Sequence, residues 1–295
     1  MKLHGAEIAD TFAEAFPMWG ARVLITAATP GWALEASRSM TGFATSVIGC
    51  KCEAGIEREL APDETPDGRP GVSALLFAMD REGVGKRLVE RVGQCVLTSP
   101  TAACFNGVDA EDTVDVGGQV RFFGDGYQAS KVLDGQRYWR VPVMEGEFLV
   151  QERFGVVEGV AGGNIIMLGR DAESALRAAE AAASAMRSVE GVIMPFPGGI
   201  ARSGSKVGSR YSALPASTND ALCPTLRGQV EHTEVPPGVE AVFEIVIDGL
   251  ALEPVRDAMR RGLVAAAEAG ASHVTAGNYG GNLGPHHIHL RELMP

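Results

Sequence analysis

GVIMPFPGGIARSGSKVGSRYSALPASTNDALCPT, residues 191–225, interrupts every regular period on either side of it. Gly, Pro, Ser, Thr and Asn crowd the stretch, so neither a helical nor an alternating apolar repeat survives in it. A loop this long inside a domain is either a working loop or a linker. Phe196, Ile200, Val207, Tyr211 and Leu214 are spread through it as candidate anchors to a core, which linkers lack. Its charge is also inverted: Arg202, Lys206 and Arg210 face only Asp220 in a chain of net charge −11. Backbone N–H groups and cations set among small hydroxyl residues suit an anion, although a plain surface loop shares that composition.

Working outward, strand residues at about 154–168 come first, then a helix begun by Asp171 and ended by Gly191, then VIMPF at 192–196 as a short strand. Beyond the loop, VEAVFEIVIDGL at 239–250 reads as a strand. Pro254 opens a helix with Val255, Ala258, Met259, Gly262, Leu263 and Ala266 on one face, Gly270 closes it, and SHVTAGN at 272–278 is a last strand. The loop therefore separates the second and third strands of a β-α-β-β-α-β unit.

The first half has the same order. ARVLITAA at 21–28 is an apolar strand, and Thr29-Pro30 starts a helix whose inner face is Ala33, Ala36, Ser37 and Met40. FATSVIGC at 43–50 is expected as the returning strand. A polar excursion ending in ETPDGRPG at 64–71 is turn chemistry, VSALLFAM at 72–79 is strand, 82–97 is helix, and GQVRFFGD at 118–125 is expected as strand. RYWRVPV and EFLVQE form a hairpin turned at Glu145-Gly146. Two such units in tandem predict an α+β protein of two ferredoxin-like β-α-β-β-α-β lobes, 1–146 and 147–295.

Composition bounds the function. The 45% hydrophobic and 21% charged fractions are those of a folded globular chain. The acidic balance argues against nucleic acid or an anionic membrane as partner. No apolar run approaches the ~20 residues of a membrane span. The five cysteines, an odd number with a single C-x-C, read as reduced thiols of a cytoplasmic protein. Lys stands only at positions 2, 51, 86, 131 and 206, so Arg carries most of the positive charge.

Glu244 is the most informative single residue, because it sits inside the apolar run Val242–Ile247. Either its carboxyl is buried, with a raised pKa suited to moving protons, or its strand face is wet. Asp125, Tyr127 and Gln128 in GDGYQ are expected at a strand end, where a D-G turn is the bland alternative. AGNYGGN at 276–282 and its echo AGGN at 161–164 let a ligand approach backbone, but neither matches a dinucleotide fingerprint. His286, His287 and His289 lack the partners of a metal motif, and no metal is expected. Cys223 precedes Pro224 in the long loop and is read as a packed thiol rather than a nucleophile.

These stretches together resemble one family. TFAEAF (11–16), ETPDGRPG (64–71), GQCV (93–96), FFGDGYQ (122–128), EGEF (145–148), GVAGGN (159–164), PFPGGI (195–200), SKVGS (205–209), LPASTNDA (214–221) and the VFEIVI strand are similar to formylmethanofuran:tetrahydromethanopterin formyltransferases over essentially the whole chain. The resemblance implies reversible formyl transfer between N5 of tetrahydromethanopterin and the amine of methanofuran, these carriers being substrates, with no metal. It implies Glu244 as the catalytic glutamate. Gly198, Gly199, Arg202, Ser205, Lys206, Ser217, Thr218, Asn219 and Asp220, with Asp125, Tyr127 and Gln128, are the expected substrate-binding residues. It also implies a homo-oligomer or, because Arg over Lys and Ala-rich helices suggest a bacterial methylotroph, a subunit of a formyltransferase/hydrolase complex. The alternative is a non-catalytic binding or structural subunit.

Overall fold

The computed structural model describes all 295 residues. Two compact units are present: Met18–Gly159, and Met1–Pro17 together with Val160–Pro295. The first 17 residues therefore belong with the later part of the chain, and the expected 146/147 division lies inside the first-named unit.

In the unit Met18–Gly159, the second half of strand β1 (Phe12–Thr26) pairs antiparallel with β3 (Gly71–Ala78), and β3 with β2 (Glu53–Leu60). On the other side β1 pairs antiparallel with β4 (Ala103–Asn106). Two helices, α1 (Pro30–Thr41) and α2 (Arg81–Arg91), connect these strands. α1 starts as the sequence predicts: the Thr29 side chain accepts from Trp32 N–H, Pro30 needs no donor, and the buried face is Ala33, Ala36, Ser37 and Met40. The sheet is widened by β5 (Ala129–Leu133), β6 (Gln136–Val143) and β7 (Gly146–Gln151), an antiparallel meander whose β7 runs parallel to β4.

Two expected strands of this unit are not strands. Residues 43–50 hold a one-turn helix, Val47–Cys50, because Ser46 Oγ accepts from Ile48 N–H and Glu53 Oε1 from Val47 N–H. These side-chain bonds hold the first turn against an alternating pattern. The returning strand is instead the polar β2, whose Glu57 is buried in a bidentate pair with Arg22 (2.6 and 2.9 Å) and accepts from Ser73. Residues 117–124 are also helical turns, since Gly117 and Gly118 lie where a Cβ would strike Gln151 O and the Asp115 carboxylate. β4 takes the place of the strand expected at 118–125.

The second unit is built on β8 (Val157–Gly169), which pairs antiparallel with β10 (Ala241–Gly249) and with β11 (His273–Thr275). The short β9 (Val192–Ile193) pairs with the far end of β10. Helices α3 (Ala172–Met186) and α4 (Leu252–Glu268) lie on one face. Asp171 caps α3, and its Ala178, Ala179, Ala182 and Ala183 are buried against α4, where Gly262 admits the Met186 side chain. A Cβ at Gly262 would occupy the space of the Met186 methyl, so that side chain would have to move aside. β12 (His286–His289) pairs antiparallel with the first residues of β1, and its His287 and His289 rings flank Phe12.

Numbered by order within each unit, the four principal strands lie side by side as 4-1-3-2: β4-β1-β3-β2 and β11-β8-β10-β9. The connection between the second and third strands is residues 61–70 in one unit and 194–240 in the other.

Candidate active site

Alternation along β10 sends Phe243, Ile245 and Ile247 to the helices and Val242, Glu244 and Val246 to the opposite face. That opposite face is not wet. The chain after β9 returns to the sheet at Ala201, whose N–H donates to Glu244 O at 2.7 Å while Glu244 N–H donates to Ala201 O at 3.1 Å. It then folds across the face, where Leu222, Val235 and Val239 pack on Ile166 and Leu168 of β8. Glu244 is left only 5% exposed beneath this cover.

Ser205 Oγ donates to Glu244 Oε1 at 2.7 Å, and Oε2 is buried without a partner. A recess of about 30 Å³, bordered by Arg202, Gly204, Asn219 and Cys223, opens against the carboxyl. That volume suits one or two water-sized groups. Burial raises the Glu244 pKa above the ordinary carboxylate value, and hydrogen bonding from Ser205 only partly offsets it. The strand thus presents a carboxyl that holds its proton to higher pH than a solvated one, oriented by one hydroxyl.

The covering segment is held by its own contacts. Its hairpin, Lys206–Val207 against Ala216–Ser217, is closed by Ser217 Oγ donating to Gly208 O at 2.6 Å. Lys206 Nζ lies 2.5 Å from Asp220 Oδ1, and this hydrogen bond draws the Asp220 pKa down. Gly204 takes φ +72°, and a Cβ there would meet Asn219 Cβ at 2.6 Å. Asn219 N–H in turn donates to Ser203 O. Arg187 at the end of α3 donates to Gly198 O, and Gly199 N–H donates to Phe196 O. Val207, Tyr211 and Leu214, expected as anchors, are exposed, whereas Phe196 and Ile200 are half-buried. The anchoring falls to Ala201 and Leu222.

Of the three cations, Lys206 is committed to Asp220. Arg202 is exposed and borders both the recess and a groove of about 460 Å³ beside Glu180 and Arg187 of α3. The hydroxyls of Ser217 and Thr218 and the N–H of Gly199 all donate internally.

One family model, described as the proximal lobe of this formyltransferase, matches residues 146–293. A second, formylmethanofuran-tetrahydromethanopterin formyltransferase, matches residues 1–143. The chain belongs to the formylmethanofuran–tetrahydromethanopterin formyltransferase family. A formyltransferase of that name from Methylococcus capsulatus is 58% identical over the full length of both chains. One component of the formyltransferase/hydrolase complex of Methylorubrum extorquens is 53% identical, covering 99% of this chain and 97% of that one. A crystal structure of the formyltransferase/hydrolase complex from Methylorubrum extorquens, in complex with methylofuran, superposes with TM-score 0.96 at 52% identity, over 99% of this chain and 98% of the other.

In this formyltransferase chain, Gly198 through Asp220 and Glu244 fall in one unit, with Ser205, Arg202 and Asn219 nearest the carboxyl. Asp125, Tyr127 and Gln128 belong to the unit Met18–Gly159. They sit on a turn that follows a helical segment and leads into β5, rather than following a strand, with Asp125 at φ +51° and Gln128 Oε1 accepting from Gly126 N–H at 2.9 Å. Sequence reasoning passed over Glu14 and Tyr279. Glu14 is buried, and both its oxygens accept backbone N–H groups of residues 279–284, while Tyr279 reaches the segment over Glu244. The signal available was a lone acid in the apolar TFAEAF run, the same kind of signal that marked Glu244. The echo between AGGN and AGNYGGN is a contact: the Asn164 amide brackets Gly277, donating to its O at 3.0 Å and accepting from its N at 2.6 Å.

Proposed function

We propose that the chain moves a formyl group reversibly between N5 of tetrahydromethanopterin and the primary amine of methanofuran, with Glu244 handling the protons. Attack of the amine on the formyl carbon forms a tetrahedral centre bearing an oxyanion. Breaking the carbon–N5 bond then returns the carbonyl, the amine loses a proton, and N5 gains one. A carboxyl whose pKa is raised by burial holds its proton to higher pH than a solvated one, and can give that proton to N5 and recover the one released by the amine. The carrying observation is the burial of Glu244 under the 201–223 segment, one oxygen held by Ser205 and the other unpartnered beside the recess.

The expected substrate-binding residues, Gly198 to Asp220 with Asp125, Tyr127 and Gln128, are retained in this reading with narrower roles. Arg202 meets carboxylates of the methanofuran tail, Lys206–Asp220 holds the hairpin in shape, and Ser205 orients Glu244. The 4-1-3-2 strand order supports a ferredoxin-like description of each lobe, with 1–146 and 147–295 as the sequence-level division. The likeness to the Methylorubrum component supports membership of a formyltransferase/hydrolase complex, working in the cytoplasm from formyl-tetrahydromethanopterin toward formylmethanofuran and then formate. A formyl-transfer assay with both carriers, on the purified chain or its complex, tests the reading. Glu244→Gln is expected to lower kcat by about 10²–10⁴-fold with the fold intact. Near-normal turnover in that variant removes Glu244 from the mechanism.

A further inference from the structure

Glu14 takes no part in the chemistry above, yet it is almost fully buried and its carboxylate is the centre around which residues 279–284 are wound. Oε2 accepts from Tyr279 N–H at 2.7 Å and Gly281 N–H at 3.1 Å, and Oε1 from Gly284 N–H at 2.9 Å and from Leu283 N–H. Gly280 and Gly281 supply the positive φ this winding needs, +68° and +80°. Burial pushes the Glu14 pKa up, but the four backbone donors together bring it below the ordinary carboxylate value. Glu14 is therefore a charged anchor.

What the anchor holds is Tyr279. The phenol oxygen accepts from Val207 N–H at 2.8 Å and its O–H donates to Ser205 O at 3.3 Å. It therefore grips the backbone on both sides of Lys206, and Ser205 is the residue whose hydroxyl lies on Glu244. Tyr279 is partly exposed, and these two hydrogen bonds tie its phenol to the segment.

We propose that Tyr279 is a positioning residue for formyl transfer: anchored through its own N–H by Glu14, it fixes residues 205–207 so that Ser205 Oγ stays on the Glu244 carboxyl. The proposal rests on Glu244 as the proton-handling group. With the phenol gone, Ser205 Oγ spends less time on Oε1 and the protonated acid is favoured further, so Glu244 titrates at higher pH. A loop that merely loosened would admit water and move the titration the other way. The ionisable groups facing Glu244 do not change this sign. Arg202 and Cys223 border the recess, Lys206 is neutralised by Asp220, Asp248 lies further along the same strand face, and β8 presents Ile166 opposite.

The experiment compares wild type, Tyr279→Phe, Ser205→Ala and Glu244→Gln in the whole chain. It reads kcat and KM for both carriers, thermal unfolding, and an infrared titration of the carboxyl band that Glu244→Gln abolishes. For Tyr279→Phe, loss of hydrogen bonds of ordinary strength gives a kcat lower by about tenfold, with KM and melting temperature nearly unchanged. Its carboxyl midpoint moves up, as in Ser205→Ala. Wild-type kcat, or a midpoint that stays or moves down, overturns the proposal. A silent Glu244→Gln sinks the Glu244 reading itself, whereas an inactive Glu244→Gln beside a wild-type-like Tyr279→Phe sinks only the role of Tyr279.

Discussion

Replacing Gly204 with alanine tests whether the segment over Glu244 must hold one conformation. The backbone there is at φ +72°, where an L-residue with a Cβ is disfavoured by about 1–2 kcal/mol. The new methyl also meets Asn219 Cβ at 2.6 Å, an overlap of the kind that costs about 1–3 kcal/mol in packed sites. The segment can relieve both by lifting at 203–205, because most of its residues are exposed and few anchors hold it. Even at the low end, ~2 kcal/mol shifts the equilibrium between the state with Ser205 on Glu244 and the lifted state about 30-fold toward the lifted one. The expected result is a kcat reduced by up to about that factor in the two-carrier assay, with a melting temperature close to wild type. Asn219→Gly in the same chain removes the overlap but leaves the φ strain, so the double variant should recover part of the loss. Full activity in Gly204→Ala alone would refute the reasoning, as would a double variant no better than the single one.

Three further expectations follow from the charges. Because Glu244 binds its proton more tightly folded than unfolded, the unfolded chain ionises first, and its contribution to stability falls as pH rises through the window above the ordinary carboxylate pKa. Glu244→Gln should remove that slope, giving a melting temperature that gains on wild type between acid and neutral pH. Glu14 has the opposite sign: its folded pKa is depressed, so its stabilisation is present above the unfolded value and lost as pH falls through the folded one. Glu14→Gln leaves some of four backbone donors unmatched, and denaturant unfolding at neutral pH should show a loss of at least about 2 kcal/mol that shrinks in acid. Arg202→Gln should raise KM for methanofuran several-fold with little change in kcat, because an exposed cation beside the recess acts on binding of a carboxylate tail. An unaltered KM would assign that tail elsewhere.

The sequence alone determined the periodic parts and the family. α1 and α3 were legible from capping residues and apolar stripes, α4 from its stripe and Pro254, and the third strand of each unit from its largely apolar run. Glu244 stood out because an acid in such a run must be buried or wet, and alternation could not say which. Only the tertiary structure decided that, by carrying residues 201–223 across the face away from the helices. The same limit hid β2, whose polar residues are explained by the Arg22–Glu57–Ser73 cluster, and turned 117–124 into helix because Gly117 and Gly118 pack against Asp115 and Gln151. Local pattern reports which residues can be apolar together. It carries no account of which backbone N–H groups converge on Glu14 from the far end of the chain, since those contacts exist only once the sheet has brought β12 beside β1.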